Sequence, residues 1–553
     1  MTLTLDQAIQ QAAGHFHAGR LAESEQLCRA ILASAPDHAD ALHLLGAVAH
    51  LCGHSAAAAE LVGRSVAVAP SNAAAWNTLG EAYRGTGRLG EAEESYRRSL
   101  AISPAFAAAH ANLAIVLTDT GRTADAIAEA ETSVRLDAGS VEAWNTLGNA
   151  RLDAGERDAA IDAYRRALAI NPNIAMTHNN LGSALEQAEQ LTDAAACYAR
   201  AADLLPTLAE AWNNLGTVRQ KQLDIDDADR CFARAVAARP DYADAHWNLG
   251  LLALARGNYT AGWPEYAWRT RCRHTLGYLR DYPGKPAWDG SPLDGRTVLL
   301  YREQGFGDVV QFARFVRRIA DTGGRVILDV PPELKTLMTG IAGAAVVTSD
   351  DPTAVDFDLH CPLMSVAGLL NLSLDECRSD PYLSPDPAKV AAWRGEFARR
   401  PGRKIGLVWS GRSVPDPLRS CQLADLTPLL AMKSVTFVSL QKGPAADELK
   451  DSPLGEGVLH LGDRLHNFAD TAAAMAALDH VVTIDTAAAH VAGAIGVPTT
   501  VMLPKPADWR WLLDREGSPW YPTLRLLRQT TRGDWSPVIA RVVADLSDPA
   551  VAS

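Results

Sequence analysis

A 34-residue period runs through the N-terminal half of the chain and limits what this sequence can fold into more than any other feature. Prolines recur at this spacing or at twice it, at Pro36, Pro70, Pro104, Pro172, Pro206 and Pro240. A leucine followed by a small residue keeps the same register from Leu45 and Gly46 to Leu249 and Gly250. The period predicts seven stacked units over residues 5–242, each made of two short amphipathic helices.

Bulky and small side chains occupy fixed positions within the units. Trp recurs at Trp76, Trp144 and Trp212, and an aromatic ring recurs at Tyr96, Tyr164, Tyr198 and Phe232. We expect the small residues to let helices approach and the rings to fill holes in the neighbouring unit. The pattern resembles the tetratricopeptide repeat. That resemblance implies an all-α solenoid over residues 5–269, with seven full repeats and a capping half-repeat from Ala243 to Arg269.

Asparagines form two rows at the repeat spacing, and they suggest a binding surface for protein. The rows contain Asn145, Asn179 and Asn213, and, one position later, Asn180, Asn214 and Asn248. A carboxamide can donate and accept hydrogen bonds together, so such a row can hold the main chain of an extended acceptor peptide. The asparagines lie on the predicted first helix of each repeat, and in tetratricopeptide folds that helix lines the concave face. The alternative is a set of small polar residues that are solvated or bond to their own neighbours.

After Arg296, beyond the end of the 34-residue period, short apolar runs alternate with segments of helical periodicity. Runs such as TVLLY, RVILDV, KIGLVWSG and HVVTID are apolar throughout, as in parallel sheets covered on both faces. We therefore expect a connector over 270–295 and two doubly wound α/β lobes, at 296–395 and 403–545. The region from Asp380 to Arg403 is expected to be a polar linker between the lobes.

Two segments carry helix starts that suit chemistry at strand ends. In the first, a glycine loop with Gln304, Gly305 and Gly307 follows a strand, and Asp308 stands at the start of the next helix. In the second, Asp485 and Thr486 precede a helix that contains Ala487 and His490. The amides of that helix start would form an anion site. For both segments a purely structural role, as helix cap or buried histidine, is the alternative.

Six segments in order resemble the catalytic half of bacterial tetratricopeptide glycosyltransferases, which are similar to the heptosyltransferases of glycosyltransferase family nine. They are EQGFGDVVQFARF, FDLHCPLMS, KIGLVWSGR, VSLQKGP, DTAAAMAALDHVVTIDTAAAHVAGAIGVP and DWRWLLDREGSPWYP. The resemblance implies a GT-B fold of two Rossmann-like lobes. The plan is also similar to that of protein O-GlcNAc transferases, and some bacterial members of this class glycosylate flagellins.

The resemblance assigns roles to particular residues. Asp308 would be the base, and Asp485, Thr486, Ala487 and His490 would bind the donor phosphate. Ala487 departs from the glycine that heptosyltransferases usually have. The segment WSGRSVPDPLRS, which begins at Trp409, departs from the usual pattern. Trp409 is placed with the donor-binding residues, and Arg412 or Arg419 would supply the cation for the leaving phosphate. A tail rich in Trp and Arg, from Pro506 to Pro522, would cover a sugar or base or pack against the first lobe.

Composition and local motifs limit the remaining possibilities. The net charge of −13 argues against nucleic acid as a partner. We expect a cytoplasmic chain without a signal peptide or transmembrane segment, and no CxxC metal or redox site. No cofactor is expected, with a nucleotide-sugar as co-substrate, and the Asp356-Phe357-Asp358 triplet is interpreted as structural and not as a metal site. The reaction is expected to invert the anomeric carbon.

Three functions follow from these observations. The first is a glycosyltransferase that modifies a hydroxyl of a protein recruited by the repeats, with flagellin as the acceptor that the resemblance suggests. The second is a transferase acting on lipopolysaccharide or another glycan. The third is a non-catalytic adaptor with a degenerate GT-B domain.

Overall fold

The computed structural model describes residues 4–351, 354–412 and 417–548. The chain divides into two compact units, residues 1–222 and residues 223–553. Within the described ranges, no helix has both the length and the apolar character that a bilayer crossing demands.

The first unit is built from paired α-helices. Their bounds are α1 Leu5–His17, α2 Leu21–Ser34, α3 Ala39–Leu51, α4 Ser55–Val68, α5 Ala73–Gly85, α6 Leu89–Ile102, α7 Ala107–Asp119, α8 Thr123–Leu136, α9 Val141–Asp153, α10 Arg157–Ile170, α11 Ala175–Gln187, α12 Leu191–Leu204 and α13 Ala209–Lys221. Each odd-numbered helix from α1 to α11 packs on the helix after it, and from α3 onward each also packs on the second helix of the preceding pair. This stacking confirms an all-α solenoid of two-helix repeats.

The glycines of the repeats allow the two helices of one pair to touch. A Cβ added to Gly80 or Gly148 would lie 2.5 Å from the ring of Tyr96 or Tyr164, respectively. Each of these rings comes from the second helix of the same repeat. The glycine and the ring therefore meet within one pair, and Tyr96 also shares a buried cluster with Leu113, Val116 and Leu117 of the following repeat, as expected of a ring that fills a neighbouring hole.

Ring N–H groups tie the first helix of most repeats to the turn before it. The indole nitrogens of Trp76, Trp144 and Trp212 donate to carbonyls six residues earlier. The Nε2 atoms of His110 and His178 make the same bond to Pro104 and Pro172. Since a carbonyl only accepts, these histidines carry the proton on Nε2. The sequence reasoning noticed the Trp positions and missed the histidines that alternate with them.

The second unit begins with three helices of the same type. They are α14 Ile225–Ala238, α15 Ala243–Ala255 and α16 Tyr259–Tyr266. Tyr259, Trp263 and Tyr266 of α16 are buried in the core that also holds the first α/β lobe. The end of the repeat pattern is thus part of the same hydrophobic core as the first sheet.

Two parallel sheets follow, with strand orders β3-β2-β1-β4 and β10-β9-β8-β5-β6-β7. The strands are β1 Thr297–Tyr301, β2 Arg325–Asp329, β3 Ala344–Thr348, β4 Leu359–Pro362, β5 Arg403–Val408, β6 Val435–Ser439, β7 Leu459–His460, β8 His480–Ile484, β9 Thr499–Leu503 and β10 Leu524–Arg528. The helices are α17 Phe306–Ala313, α18 Val316–Ala320, α19 Pro332–Met338, α20 Val366–Leu369, α21 Leu374–Cys377, α22 Pro387–Phe397, α23 Thr427–Leu430, α24 Pro444–Asp451, α25 Phe468–Met475, α26 Ala487–Ile495 and α27 Ser536–Ser547. The C-terminal region is therefore α/β with parallel sheets.

The region expected to be a polar linker is partly helical. It contains α22, which packs on α25, and the N–H groups of Tyr382 and Leu383 both donate to the carbonyl of Ala494. Asp386 caps α22 by accepting from the N–H of Ala388 at 2.8 Å, and Pro387 follows at the first helical position. The polar composition reflects the exposed side of a docked helix, so the interpretation as a simple linker was wrong.

Candidate functional site

Four loops that follow parallel strands meet in the second unit. They follow β1 in the first sheet and β5, β8 and β9 in the second, where β8 pairs with both β5 and β9. Carboxyl ends of neighbouring parallel strands lie at one edge of a sheet, and ligands of doubly wound folds bind there. These loops carry most of the site residues that the sequence predicts.

The loop after β1 positions Asp308 at the third residue of α17. Its Oδ2 accepts from the backbone N–H of Gly305, 2.9 Å away, which ties the helix start to the glycine loop. Gln304 and Gly307 are half-buried beside it. Burial raises the pKa of the Asp308 carboxyl, and the charge of Arg510 acts in the opposite direction. A structural role of Asp308 at the helix start is therefore compatible with a role of the same carboxylate as a base.

The loop after β8 places Thr486 at the N-cap of α26. The Thr486 side chain makes no capping hydrogen bond to that helix. Its Oγ1 lies 3.5 Å from the hydroxyl of Thr483. Ala487 is the first residue of α26 and half-buried. The helix start thus combines oriented amides, the positive end of the helix dipole and a hydroxyl.

His490 is buried inside α26 and has its own partners. Its Nδ1 lies 3.0 Å from the Tyr521 hydroxyl, and its ring stacks on Trp511. Burial lowers the pKa of His490 well below its usual range, and the charges of Arg510 and Arg314 lower it further. The imidazole is therefore neutral at pH 7 and brings no positive charge to a phosphate.

The glycine loop and α26 touch at Gly307. A Cβ added to Gly307 would lie 2.7 Å from Cδ2 of His490 and 3.5 Å from Cα of Ala487. Real Cβ atoms do not approach other atoms so closely in close-packed interiors, so glycine is required for this approach. The two segments singled out in the sequence are thereby brought into direct contact.

The loop after β5 brings Arg419 to the same place. A Cβ on Gly411 would lie 3.0 Å from Cγ2 of Thr486 and 3.1 Å from Nη2 of Arg419. The Arg419 Nε is buried without a hydrogen-bond partner among the described residues. Arg412 is exposed, and the segment between Arg412 and Pro417 lies outside the described residues. Of the two arginines suggested for the leaving phosphate, the structure places Arg419 beside Thr486.

Asp485 is half-buried beneath this group. Burial raises the pKa of its carboxyl to about 6, and the neighbouring Asp508 carboxylate raises it as well. Trp511, Arg510 and Arg419 oppose that rise. The cluster therefore holds three carboxylates, Asp308, Asp485 and Asp508, together with the guanidinium groups of Arg510 and Arg419.

Trp409 differs from its predicted place at the donor site. Its side chain is buried in the core of the second lobe with Ile405 and Leu407. Alternate residues of a strand face the same side of a sheet, and positions 405, 407 and 409 continue that alternation. Trp409 contributes its backbone N–H, which donates to Oε1 of Gln441 at 3.1 Å. Its indole packs the core and does not line the site, so the donor-binding assignment fails for this side chain.

Arg510 is the residue of this cluster that sequence reasoning missed. It follows β9 in a short 3₁₀ turn, Trp509–Trp511, and forms ion pairs with Asp308 at 2.5 Å and Asp508 at 2.9 Å. Its Nε donates to Oε1 of Gln311 at 2.7 Å. The only sequence signal was its place in a tail dense in Trp and Arg.

The tryptophans of that tail are packing residues. Trp509, Trp511 and Trp520 are buried, and Trp509 contacts the rings of Tyr259, Trp263 and Tyr266 from α16. Trp520 also contacts Phe312 and Phe315 of the first lobe, so of the two interpretations offered for the tail the geometry matches packing against that lobe. It explains why so many of the 13 tryptophans occur late in a chain that is poor in other aromatic residues.

The Asp356-Phe357-Asp358 triplet is divided between core and surface. Asp358 Oδ2 accepts from the N–H of Thr297 at 2.7 Å, and Phe357 is buried against Tyr282. Asp356 is exposed, with Lys285 3.5 Å away. The two carboxylates therefore have separate structural partners.

Asparagines of one repeat bond to residues of the neighbouring repeat. Asn214 donates to Asn179 at 3.1 Å, and Asn180 donates to Asn149 at 3.3 Å. Asn145 donates to Thr177 at 2.8 Å and is half-buried, while Asn213 is buried. Asn248 lies on α15 in the second unit and is half-buried. The bonding to neighbours that was the alternative interpretation is thus present for Asn145, Asn179, Asn180 and Asn214.

Comparison with known proteins identifies the repeats. A tetratricopeptide-repeat family matches residues 53–105, 145–209 and 213–266, and a second family of the same repeat matches 83–150. Residues 53–209 and 213–266 thus carry tetratricopeptide repeats. Such repeats imply protein–protein interaction.

Similar proteins share part of the chain. Protein FlbA of Caulobacter vibrioides (strain ATCC 19089 / CIP 103742 / CB 15) is 28% identical over 328 residues, which cover 54% of this chain and 54% of that protein. The chain thus aligns with about half the length of this relative. Among solved structures, the APC/C hetero-tetramer Cut9-Hcn1 is 20% identical with a TM-score of 0.40, covering 48% of this chain and 52% of that chain. MamA is 27% identical with a TM-score of 0.28, covering 30% of this chain and 96% of that chain.

Proposed function

We propose that the chain transfers a sugar from a nucleotide-sugar to a hydroxyl of a protein that its repeats recruit. The observation that carries this proposal is the convergence, at the carboxyl ends of parallel strands, of the half-buried Asp308 carboxylate with an arginine and a helix start that has no side-chain cap. The proposal assigns a GT-B enzyme that needs no metal or cofactor. It combines the family resemblance of the sequence with the contacts made by Asp308, Thr486 and Arg419.

Asp308 is the proposed base. Burial raises its pKa, so this carboxylate binds a proton more readily than an exposed aspartate does. The acceptor hydroxyl gives its proton to Asp308 as its oxygen bonds to the anomeric carbon. A single displacement of this kind inverts the anomeric configuration.

The start of α26 is the proposed site for the leaving phosphate. The bond from the anomeric carbon to the phosphate oxygen breaks, and its electron pair leaves with the nucleotide. The amides at the start of α26, the Thr486 hydroxyl and the Arg419 guanidinium would stabilise that negative charge. Among the described residues the buried Nε of Arg419 has no hydrogen-bond partner, and this supports the role because a buried donor without a partner is costly unless a ligand supplies one.

The asparagine rows are the proposed acceptor site. Asn179 and Asn214, and Asn149 and Asn180, are paired across repeats, which fixes the carboxamides in orientation. The remaining N–H and carbonyl groups can bond to the main chain of an extended segment. Main-chain recognition makes the surface tolerant of acceptor sequence. Flagellin is the acceptor suggested by the resemblance, and the reaction would take place in the cytoplasm.

The test uses the purified full chain with a panel of nucleotide-sugars carrying uridine, guanosine, cytidine, adenosine or thymidine. Protein extract from cells lacking the gene serves as acceptor, and intact-mass spectrometry detects a sugar. We expect transfer by the native chain and by Asp321→Asn, which alters an exposed carboxylate of the same lobe. Transfer by Asp308→Asn is expected to fall at least about a hundredfold, as for loss of a general base.

Other outcomes identify the alternatives. Sugar incorporated into lipopolysaccharide and absent from protein would favour the glycan transferase. Capture of a protein by the repeats, with no transfer from any donor, would favour the non-catalytic adaptor. Undiminished transfer by Asp308→Asn would exclude this aspartate as base.

A further inference from the structure

The guanidinium of Arg510 is surrounded by partners that fix its orientation. Nη2 bonds to Asp308, Nη1 bonds to Asp508, and Nε bonds to the side-chain oxygen of Gln311, which is fully buried. The guanidinium carbon also lies 4.7 Å from the ring centre of Trp509. Since the guanidinium is a rigid planar fork, three such bonds leave it one orientation.

This arrangement also fixes the carboxylate of Asp308. Arg510 binds Oδ1, while the N–H of Gly305 binds Oδ2. The Arg510 side chain is 10% exposed and that of Asp308 is 18% exposed. The carboxylate is therefore clamped on both oxygens and still reachable by an incoming hydroxyl.

We propose that Arg510 is a positioning residue for Asp308: it holds the carboxylate in the orientation that receives the proton of the acceptor hydroxyl. This inference rests on the proposed function and adds a residue to it. Asp508 and Gln311 act one step further away, because they hold Arg510. Arg510 is not a ligand of the donor phosphate, since its charge is already shared by two carboxylates.

Charged and titratable groups surround Asp308 on several elements. Arg510 and Asp508 follow β9, Tyr266 lies on α16 with the buried Arg269–Glu303 pair nearby, and α26 presents the neutral His490. The charges of Arg510 and Arg419 also act on Asp485 and lower the pKa of its carboxyl. Within this set, Arg510 lowers the pKa of Asp308 and Asp508 raises it.

The opposite signs give a test of the electrostatic coupling of Arg510 and Asp508 to Asp308, on which the positioning role depends. Removing the Arg510 charge should raise the pKa of Asp308, and removing the Asp508 charge should lower it. A nearby opposite charge shifts a carboxyl pKa by about 1–3 units, so Arg510→Met should produce a rise of about one unit or more. Asp508→Asn should produce a smaller fall.

The measurement is a carboxyl carbon-13 titration of the full chain labelled at aspartate. Asp308→Asn identifies the Asp308 resonance by its disappearance. Arg510→Met, Arg510→Lys and Asp508→Asn are titrated beside the native chain, with Arg515→Met as the control because Arg515 is exposed in the same tail. We expect shifts of opposite sign for Arg510→Met and Asp508→Asn and none for Arg515→Met. An Asp308 midpoint unchanged in both variants would overturn the proposal.

A kinetic arm separates positioning from donor binding. With the donor and acceptor found by the transfer assay, Arg510→Lys should lower kcat about tenfold or more and leave the KM for the donor unchanged. A rise in donor KM at constant kcat would overturn the proposal and make Arg510 a donor ligand. The titration needs no substrate, so opposite shifts of the Asp308 midpoint without transfer from any donor would refute the proposed function and leave the Arg510–Asp308 coupling established.

Discussion

Gly307→Ala is the substitution that most sharply tests the contact between the glycine loop and α26. The added methyl would lie 2.7 Å from Cδ2 of His490 and 3.5 Å from Cα of Ala487. The His490 ring cannot simply turn away, because Tyr521 bonds its Nδ1 and Trp511 stacks on its face. The two helix starts must therefore separate.

The expected change in the free energy of unfolding is the difference between two opposing contributions. Overpacking of a closely packed contact costs about 1–3 kcal/mol. Alanine regains up to about 1 kcal/mol because it is a better helix former than glycine at this position in α17. We expect the free energy of unfolding of the second unit, residues 223–553, to fall by about 1–2 kcal/mol, which lowers its Tm by about 1–3 °C.

Gly305→Ala is the matched control in the same loop. Gly305 has φ −73° and ψ 169°, which alanine adopts freely, and the new methyl would meet Asp308 Oδ2 at an ordinary 3.4 Å. Thermal unfolding followed by tryptophan fluorescence reports on the second unit, which contains most of the 13 tryptophans. We expect Gly305→Ala to lower the Tm by less than Gly307→Ala. Equal Tm values for Gly307→Ala and the native chain would refute the close approach of the two segments.

Three further changes test other parts of the structure. Trp520→Ala should lower the free energy of unfolding by about 3–5 kcal/mol in urea titrations, because Trp520 is fully buried among Phe312, Tyr259 and Trp509; a loss below about 1 kcal/mol would contradict the packing of the tail. Burial lowers the pKa of His480 to about 4, so the stability it contributes at pH 7 is lost as the pH falls from about 6.5 through about 4. His480→Gln should flatten the pH dependence of Tm in that window, and an unchanged slope would exclude this histidine as its source. Asn180→Ala with Asn214→Ala should weaken acceptor capture by about tenfold or more in pull-down titrations, while the exposed Asn173→Ala should leave it unchanged; equal capture by both would refute the asparagine rows as the acceptor site.

The repeat register predicted the helical half closely because a 34-residue period fixes every contact by analogy with its neighbours. Gly80 and Tyr96 recur as Gly148 and Tyr164, and the same close approach recurs with them. The histidines that replace Trp in alternate repeats were missed, although both rings carry an N–H that reaches a carbonyl six residues earlier. The property that Trp and His share at this repeat position is a ring N–H that can donate to the carbonyl, and not the size of the ring.

The site depends on contacts between distant segments, which local patterns do not encode. Arg510 and Asp308 are 202 residues apart, and nothing in the sequence around Arg510 distinguishes it from an exposed arginine. Trp409 could have been placed correctly, because Ile405, Leu407 and Trp409 alternate along a strand and its extension. Helix starts such as those at Asp308 and Thr486 were predictable because caps and glycines are local signals.

The central claim is sugar transfer to a protein by a reaction that uses Asp308. Intact-mass proteomics of cells lacking the gene tests it most directly, with the native chain, Asp308→Asn or Asp321→Asn restored at equal abundance. We expect one or more proteins to lose the mass of a sugar in the deletion and to regain it with the native chain and Asp321→Asn. Asp308→Asn should leave the mass unrestored while still binding the same proteins. An unchanged protein mass spectrum in the deletion, or full restoration by Asp308→Asn, would contradict the account.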